Sequence, residues 1–179
     1  MMKKWKEIQL ERYLPVGYDA KYEIRIFLTG MVLSFLWGCL YFRRLYVSWE
    51  RLWELEWQNG EMVRTGIIEG AVMRDFRELF FEPNSLAGFF MVVICMAAFM
   101  MVHYAYHFQE SKSIYLMKRL PNRRELYRRC FTLPLVGMGI SLISAFVFLL
   151  IGYAVYQNVT PPECMVGDQW QKIWSAWFI

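Results

Sequence analysis

The stretch LAGFFMVVICMAAFMMV, residues 86–102, decides the class of this chain, because it contains no Asp, Glu, Lys or Arg. The run continues to Phe108, giving 23 residues without an Asp, Glu, Lys or Arg from Leu86. A hydrocarbon core of roughly 30 Å needs about 20 helical residues, so this segment is long enough to cross a bilayer as one helix. Two further runs have the same character. Ile26 to Phe42 reads IFLTGMVLSFLWGCLYF, and Phe131 to Tyr156 contains LVGMGISLISAFVFLLIGYAVY. The expected fold class is therefore all-α: an integral membrane protein with three transmembrane helices, at residues 24–47, 86–108 and 131–156. The chain as a whole has 179 residues, 57% of them hydrophobic. That length suits one membrane domain better than two.

The charged residues predict an orientation. Residues 1–25 and 109–130 together hold 13 Lys or Arg in 47 positions, whereas residues 43–85 and 157–179 hold seven in 66. The positive-inside rule places the N-terminus and the 109–130 loop in the cytoplasm of a bacterial plasma membrane, with 48–85 and the C-terminal tail from 157 outside. Arg43 and Arg44 run against this bias, since they adjoin the first span on its outer side. A net charge of +4 without a segment of interleaved basic and aromatic residues gives no reason to expect nucleic acid as a partner.

Between the spans the sequence predicts short helices. Lys3 to Tyr13 interleaves Trp5, Ile8 and Leu10 with charges, as an interfacial helix does, and Leu14-Pro15-Val16-Gly17 ends it. Trp49, Trp53 and Trp57 recur every four residues, so the outer segment is expected to be helical to about Trp57, with Asn59-Gly60 as its stop. Residues 61–74 read as loop, Asp75 to Phe81 as a short amphipathic helix, and Asn84 or Ser85 as the cap of the second span. In the inner loop, Ser113 to Leu120 reads as a helix closed by Pro121. Asn122 and Glu125 then have capping-box spacing for a basic helix that leads into the third span.

Catalytic chemistry is not expected. There is no Gly-Lys-Ser/Thr phosphate loop, no Gly-x-Ser-x-Gly and no His-Glu-x-x-His, and no Asp, Glu, Lys or Arg lies inside the three apolar cores. No catalytic residue, cofactor or metal is therefore assigned. His103 and His107 are spaced i, i+4 near the end of the second run and have no carboxylate or thiol close by in sequence; with Tyr104 and Tyr106 they read as interface or packing residues. Met96 and Met100 read as packing. Cys39, Cys95, Cys130 and Cys164 form no Cys-x-x-Cys pair and read as small apolar fillers. Gly137, Ser141 and Ala145 have small-xxx-small spacing and are the candidates for close helix packing.

Two segments carry a resemblance. WKEIQLERYLPVGYD, residues 5–19, and SKSIYLMKRLPN, residues 111–122, resemble small three-span membrane proteins of Gram-positive anaerobes associated with ABC transporter permeases. The layout is similar to the first half of an ABC-2-type permease, with an elbow helix, two spans, a cytoplasmic coupling helix and a third span. The resemblance implies a membrane subunit of an export complex powered by a separate ATPase. Ser113, Tyr115, Lys118, Arg119, Arg123 and Arg124 would then form the docking surface for that ATP-binding subunit. Such permeases have six spans and a short first outer loop. With three spans and a long loop, this chain is expected to need another membrane subunit or a second copy of itself. The alternative expectation is an accessory or assembly protein that binds a partner through its outer segment.

Overall fold

The structure, a computed structural model, describes residues 20–58, 60–109 and 123–175, excepting the side chains of 106–109, 123–127, 129, 174 and 175. The expected elbow helix, and Ser113, Tyr115, Lys118 and Arg119 of the inner loop, lie outside the described residues. The elements are α1 (Lys21–Gly38), α2 (Leu40–Glu50), β1 (Trp53–Gln58), β2 (Glu61–Ile67), α3 (Phe76–Phe81), α4 (Ala87–Gln109), α5 (Arg123–Val159), a 3₁₀ turn (Pro162–Cys164) and α6 (Gln169–Ser175).

Three helical segments are long and apolar enough to cross a membrane: Lys21–Glu50, Ala87–Ala105 and Cys130–Val159. Their burial patterns point the same way. In α1 the buried positions are Glu23, Met31, Ser34 and Gly38, while Leu28, Val32, Leu33 and Leu36 are exposed. In α5 the buried stripe runs Cys130, Pro134, Gly137, Ser141, Ala145, Phe148, Gly152 and Tyr156, at steps of three and four, with Leu135, Ile143 and Val147 facing out. Small and polar residues turn inward beside a few large ones such as Met31, Phe148 and Tyr156, and most large apolar residues face outward. Water penalises such a surface and lipid accepts it, because backbones can approach closely only over small side chains. The chain is accordingly a multi-pass membrane protein.

Contacts divide the described residues into two compact units, residues 20–33 with 88–145 and residues 34–87 with 146–175. In the first, Ser141 Oγ donates a 3.0 Å hydrogen bond to the Phe89 carbonyl of α4.

The second unit corrects the expectation of a helical outer segment. Helix α2 ends at Glu50, and β1 and β2 pair antiparallel from Trp53↔Ile67 to Gln58↔Glu61, with a bulge between Glu54 and Leu55. The spacing of Trp49, Trp53 and Trp57 misled because four residues is two strand periods as well as about one helical turn. The alternation Trp53-Glu54-Leu55-Glu56-Trp57 is the strand signal. Gly60 has φ +86°, so it serves a hairpin turn and not a helix stop, and residues 61–67 are a strand where loop was expected. The expected cap also differs: Ser85 Oγ has no hydrogen-bond partner among the described residues, and the first turn of α4 is approached by an Ala87 N–H bond to the Asn84 carbonyl at 2.8 Å.

An aromatic core holds this unit. Tyr41 meets Phe80 at 5.0 Å and Phe76 at 5.9 Å between ring centroids, and Phe76 meets Tyr156 at 5.6 Å. Both phenols are satisfied: Tyr41 donates to the Gly152 carbonyl at 2.9 Å, and Tyr156 donates to the Arg74 carbonyl at 3.0 Å. The C-terminal tail closes over α3. The Met73 N–H bonds to the Cys164 carbonyl at 2.9 Å, and the Phe76 N–H, an orphan of the first helical turn, is capped by Gln169 Oε1 at 2.9 Å. Gln169 Nε2 and Lys172 Nζ then hold the Asp75 carboxylate at 2.8 Å and 3.1 Å.

Two outcomes follow from this packing. A Cβ at Gly152 would sit 2.8 Å from a Phe80 ring carbon, and Phe80 is fully buried, so Gly152→Val should lower stability by about 1–3 kcal/mol in detergent thermal unfolding. The Gln169 hydrogen bond first, and Lys172 second, hold the Asp75 carboxyl below its usual range against the opposing effect of partial burial. A carboxyl depressed in the folded state stabilises fully above its unfolded value of about 3.9, and that contribution is lost as pH falls through the folded value. The hydrogen-exchange protection factors of residues 166–175, taken relative to intrinsic rates at each pH, should therefore fall in acid below about pH 4, and Asp75→Asn should show low protection at neutral pH with little further change on acidification.

Candidate functional site: a buried Glu–His pair on a proline-freed carbonyl

Pro134 sits inside α5 and has no N–H, so the carbonyl four residues earlier, that of Cys130, loses its helical donor. His103 of α4 supplies the replacement. Its Nδ1 lies 3.0 Å from the Cys130 carbonyl oxygen in a buried contact. A carbonyl only accepts, so Nδ1 carries the proton, and the bond fixes which ring nitrogen remains. That nitrogen, Nε2, lies 3.0 Å from Glu23 Oε2, and both side chains are fully buried. The approach has the geometry of an ion pair more than of a straight hydrogen bond. One proton shared between imidazole and carboxyl balances the pair, as imidazolium with carboxylate or imidazole with carboxylic acid. The second carboxyl oxygen, Glu23 Oε1, has no hydrogen-bond partner among the described residues.

Each component follows from local rules. Glu23 stands in the first turn of α1, where an acid interacts favourably with the helix N-terminus. It falls on the buried stripe with Met31 and Ser34. His103 falls on the buried stripe of α4 with Phe89, Val92 and Met96. An uncompensated buried charge is costly, so the three groups are held as a set.

Glu23 lies outside the apolar core that begins at Ile26, and its burial adds to the expectation that no acidic or basic residue lies inside those cores. Counting the first span from Ile24 left Glu23 outside it, whereas α1 begins at Lys21 and buries Glu23 completely. The signal was available only as an acid one turn ahead of an apolar run, and its partner lies 80 residues away. His103 is a buried packing residue with both ring nitrogens engaged; the side chain of His107 lies outside the described set. Among the described residues no group of three His, Cys, Asp or Glu side chains is arranged to hold a metal.

The other candidate residues are dispersed. Gly137 faces Met96, whose methyl would lie 2.7 Å from an added Cβ, while Ser141 and Ala145 are buried further along α5. Arg123 and Arg124 lie in the first turn of α5. All four cysteines are free thiols: Cys130 and Cys164 are buried, and Cys39 and Cys95 are exposed.

The chain matches no protein-family model, no curated protein and no solved structure.

If His103 serves the proline-freed carbonyl, the two substitutions must be coupled. His103→Ala should cost about 3–5 kcal/mol by stranding a buried carboxylate and a buried carbonyl. In a Pro134→Ala background, where residue 134 regains its N–H, the same change should cost about 1 kcal/mol less. A double-mutant cycle from thermal unfolding in detergent measures this, and additive penalties would contradict the geometry.

Proposed function

We propose that the protein is a membrane subunit of an ABC-type, ABC-2-like export complex driven by a separate ATPase subunit. In this reading the N-terminus and residues 109–130 face the cytoplasm, and residues 48–85 and the C-terminal tail face outward. The observation that carries the proposal is the continuity of α5, which runs unbroken for 37 residues from Arg123 to Val159. Its basic first turns, bearing Arg123, Arg124, Arg128 and Arg129, and the third span are therefore one element. Force applied at the foot would reach Cys130, seven residues on and about 10 Å along the axis at 1.5 Å per residue, where His103 grips the helix. A coupling role needs such a connection. The resemblance of residues 111–122 to a coupling segment supports the same reading, and the small-residue stripe on α5 suits a helix that packs closely against its neighbours.

One observation favours a second reading, an accessory protein that binds a partner through its outer segment. The hairpin exposes the cross-strand pair Trp57 and Met62, 71% and 58% accessible. An apolar pair displayed on a two-stranded sheet suits a protein contact.

Affinity purification from native membranes in mild detergent separates the two readings. The export-subunit reading predicts a co-purifying nucleotide-binding subunit, whose recovery falls at least about tenfold with Arg123→Glu/Arg124→Glu and is unchanged by Trp57→Ser. Recovery that depends on Trp57 and not on the two arginines supports the accessory reading.

A further inference from the structure

We infer that the second unit carries a binding site for the phosphate headgroup of an anionic phospholipid, at a cavity of about 520 Å³ beside α2. The site is independent of the transport reading. Arg43 and Arg44 line it from α2, Arg51 from the cap residue that follows that helix, and Arg74 from the segment before α3. The first three share a face because Arg43, Val47 and Arg51 follow at i, i+4 and i+8, Arg51 keeping helical dihedrals as the C-cap, and Arg44 precedes Ser48 by four.

The charge balance calls for an anion. Four guanidinium groups border the cavity together with one carboxylate, that of Glu82. Glu82 pairs with Arg44 at 3.8 Å with both side chains at least half exposed, a contact worth little and readily exchanged. No described ion pair involves Arg43, Arg51 or Arg74. Like charges gathered at one cavity repel, and a phosphate diester relieves that repulsion while accepting paired N–H bonds from the planar guanidinium groups.

The apolar part of the lining selects a lipid over a free ion. Trp37 and Leu40 belong to the first membrane-crossing segment, are 51% and 41% exposed, and border the same cavity. A Trp beside a snorkelling Arg is the side-chain pattern of the headgroup level, with aliphatic surface on the membrane side for the glycerol and first acyl carbons. The site also accounts for Arg43 and Arg44, which oppose the charge bias of the rest of the chain: their positive charge is used locally, against a headgroup.

Purified full-length protein would be titrated with a short-chain phosphatidylglycerol, the matching phosphatidylcholine, and inorganic phosphate, with binding read by native mass spectrometry and thermal shift. The expected result is retention of phosphatidylglycerol over phosphatidylcholine and inorganic phosphate. Arg43→Gln/Arg51→Gln should weaken it roughly 30-fold, while the lipid-free melting midpoint stays unchanged. The control pair Arg25→Gln/Arg77→Gln removes equal charge outside the cavity and should leave binding intact. Equal loss in the control pair, equal binding of phosphatidylcholine, or equal stabilisation by inorganic phosphate would each overturn the assignment.

Discussion

A carbonyl without its helical donor is the constraint around which the first unit is organised. Pro134 deprives the buried Cys130 carbonyl of its helical bond, and a buried backbone group left without a partner costs about 1–3 kcal/mol. His103 answers the carbonyl, and Glu23 answers His103. Each step moves an unsatisfied valence to another helix, so the last turns of α4, the first turn of α1 and the early turns of α5 become interdependent. The proline is tolerated because its neighbour helix supplies the missing donor, and the histidine is tolerated because a carboxyl balances its second nitrogen.

The second unit solves the same accounting with different groups. The Phe76 N–H at the start of α3 and the Arg74 carbonyl before it are satisfied by Gln169 and Tyr156 from far along the chain, while aromatic rings fill the space between. The hydrogen bonds from Gln169 and Lys172 then fasten the tail to Asp75.

The sequence made the spans legible because length and the absence of charge are one-dimensional properties. The stripe of Gly137, Ser141 and Ala145 was visible for the same reason, as spacing along one helix. Three features were not. The hairpin was hidden because Trp49, Trp53 and Trp57 fit both periods, and only the intervening Glu54 and Glu56 distinguish them. Glu23 was hidden because a charge beside an apolar run is ordinarily solvated, and its burial depends on His103, 80 positions away. The tail's attachment was hidden because Asp75 and Lys172 are separated by 97 residues and nothing in their local sequence marks them as partners.

The most direct test of the central contact is the protonation pattern of His103 in lipid. With His107→Gln leaving His103 as the sole histidine, solid-state ¹⁵N spectroscopy of imidazole-labelled protein in bilayers resolves the two ring nitrogens. A proton on Nδ1 that exchanges slowly with solvent is the predicted result, since that proton is held by the Cys130 carbonyl. An unprotonated Nδ1 in a rapidly exchanging ring would contradict the account.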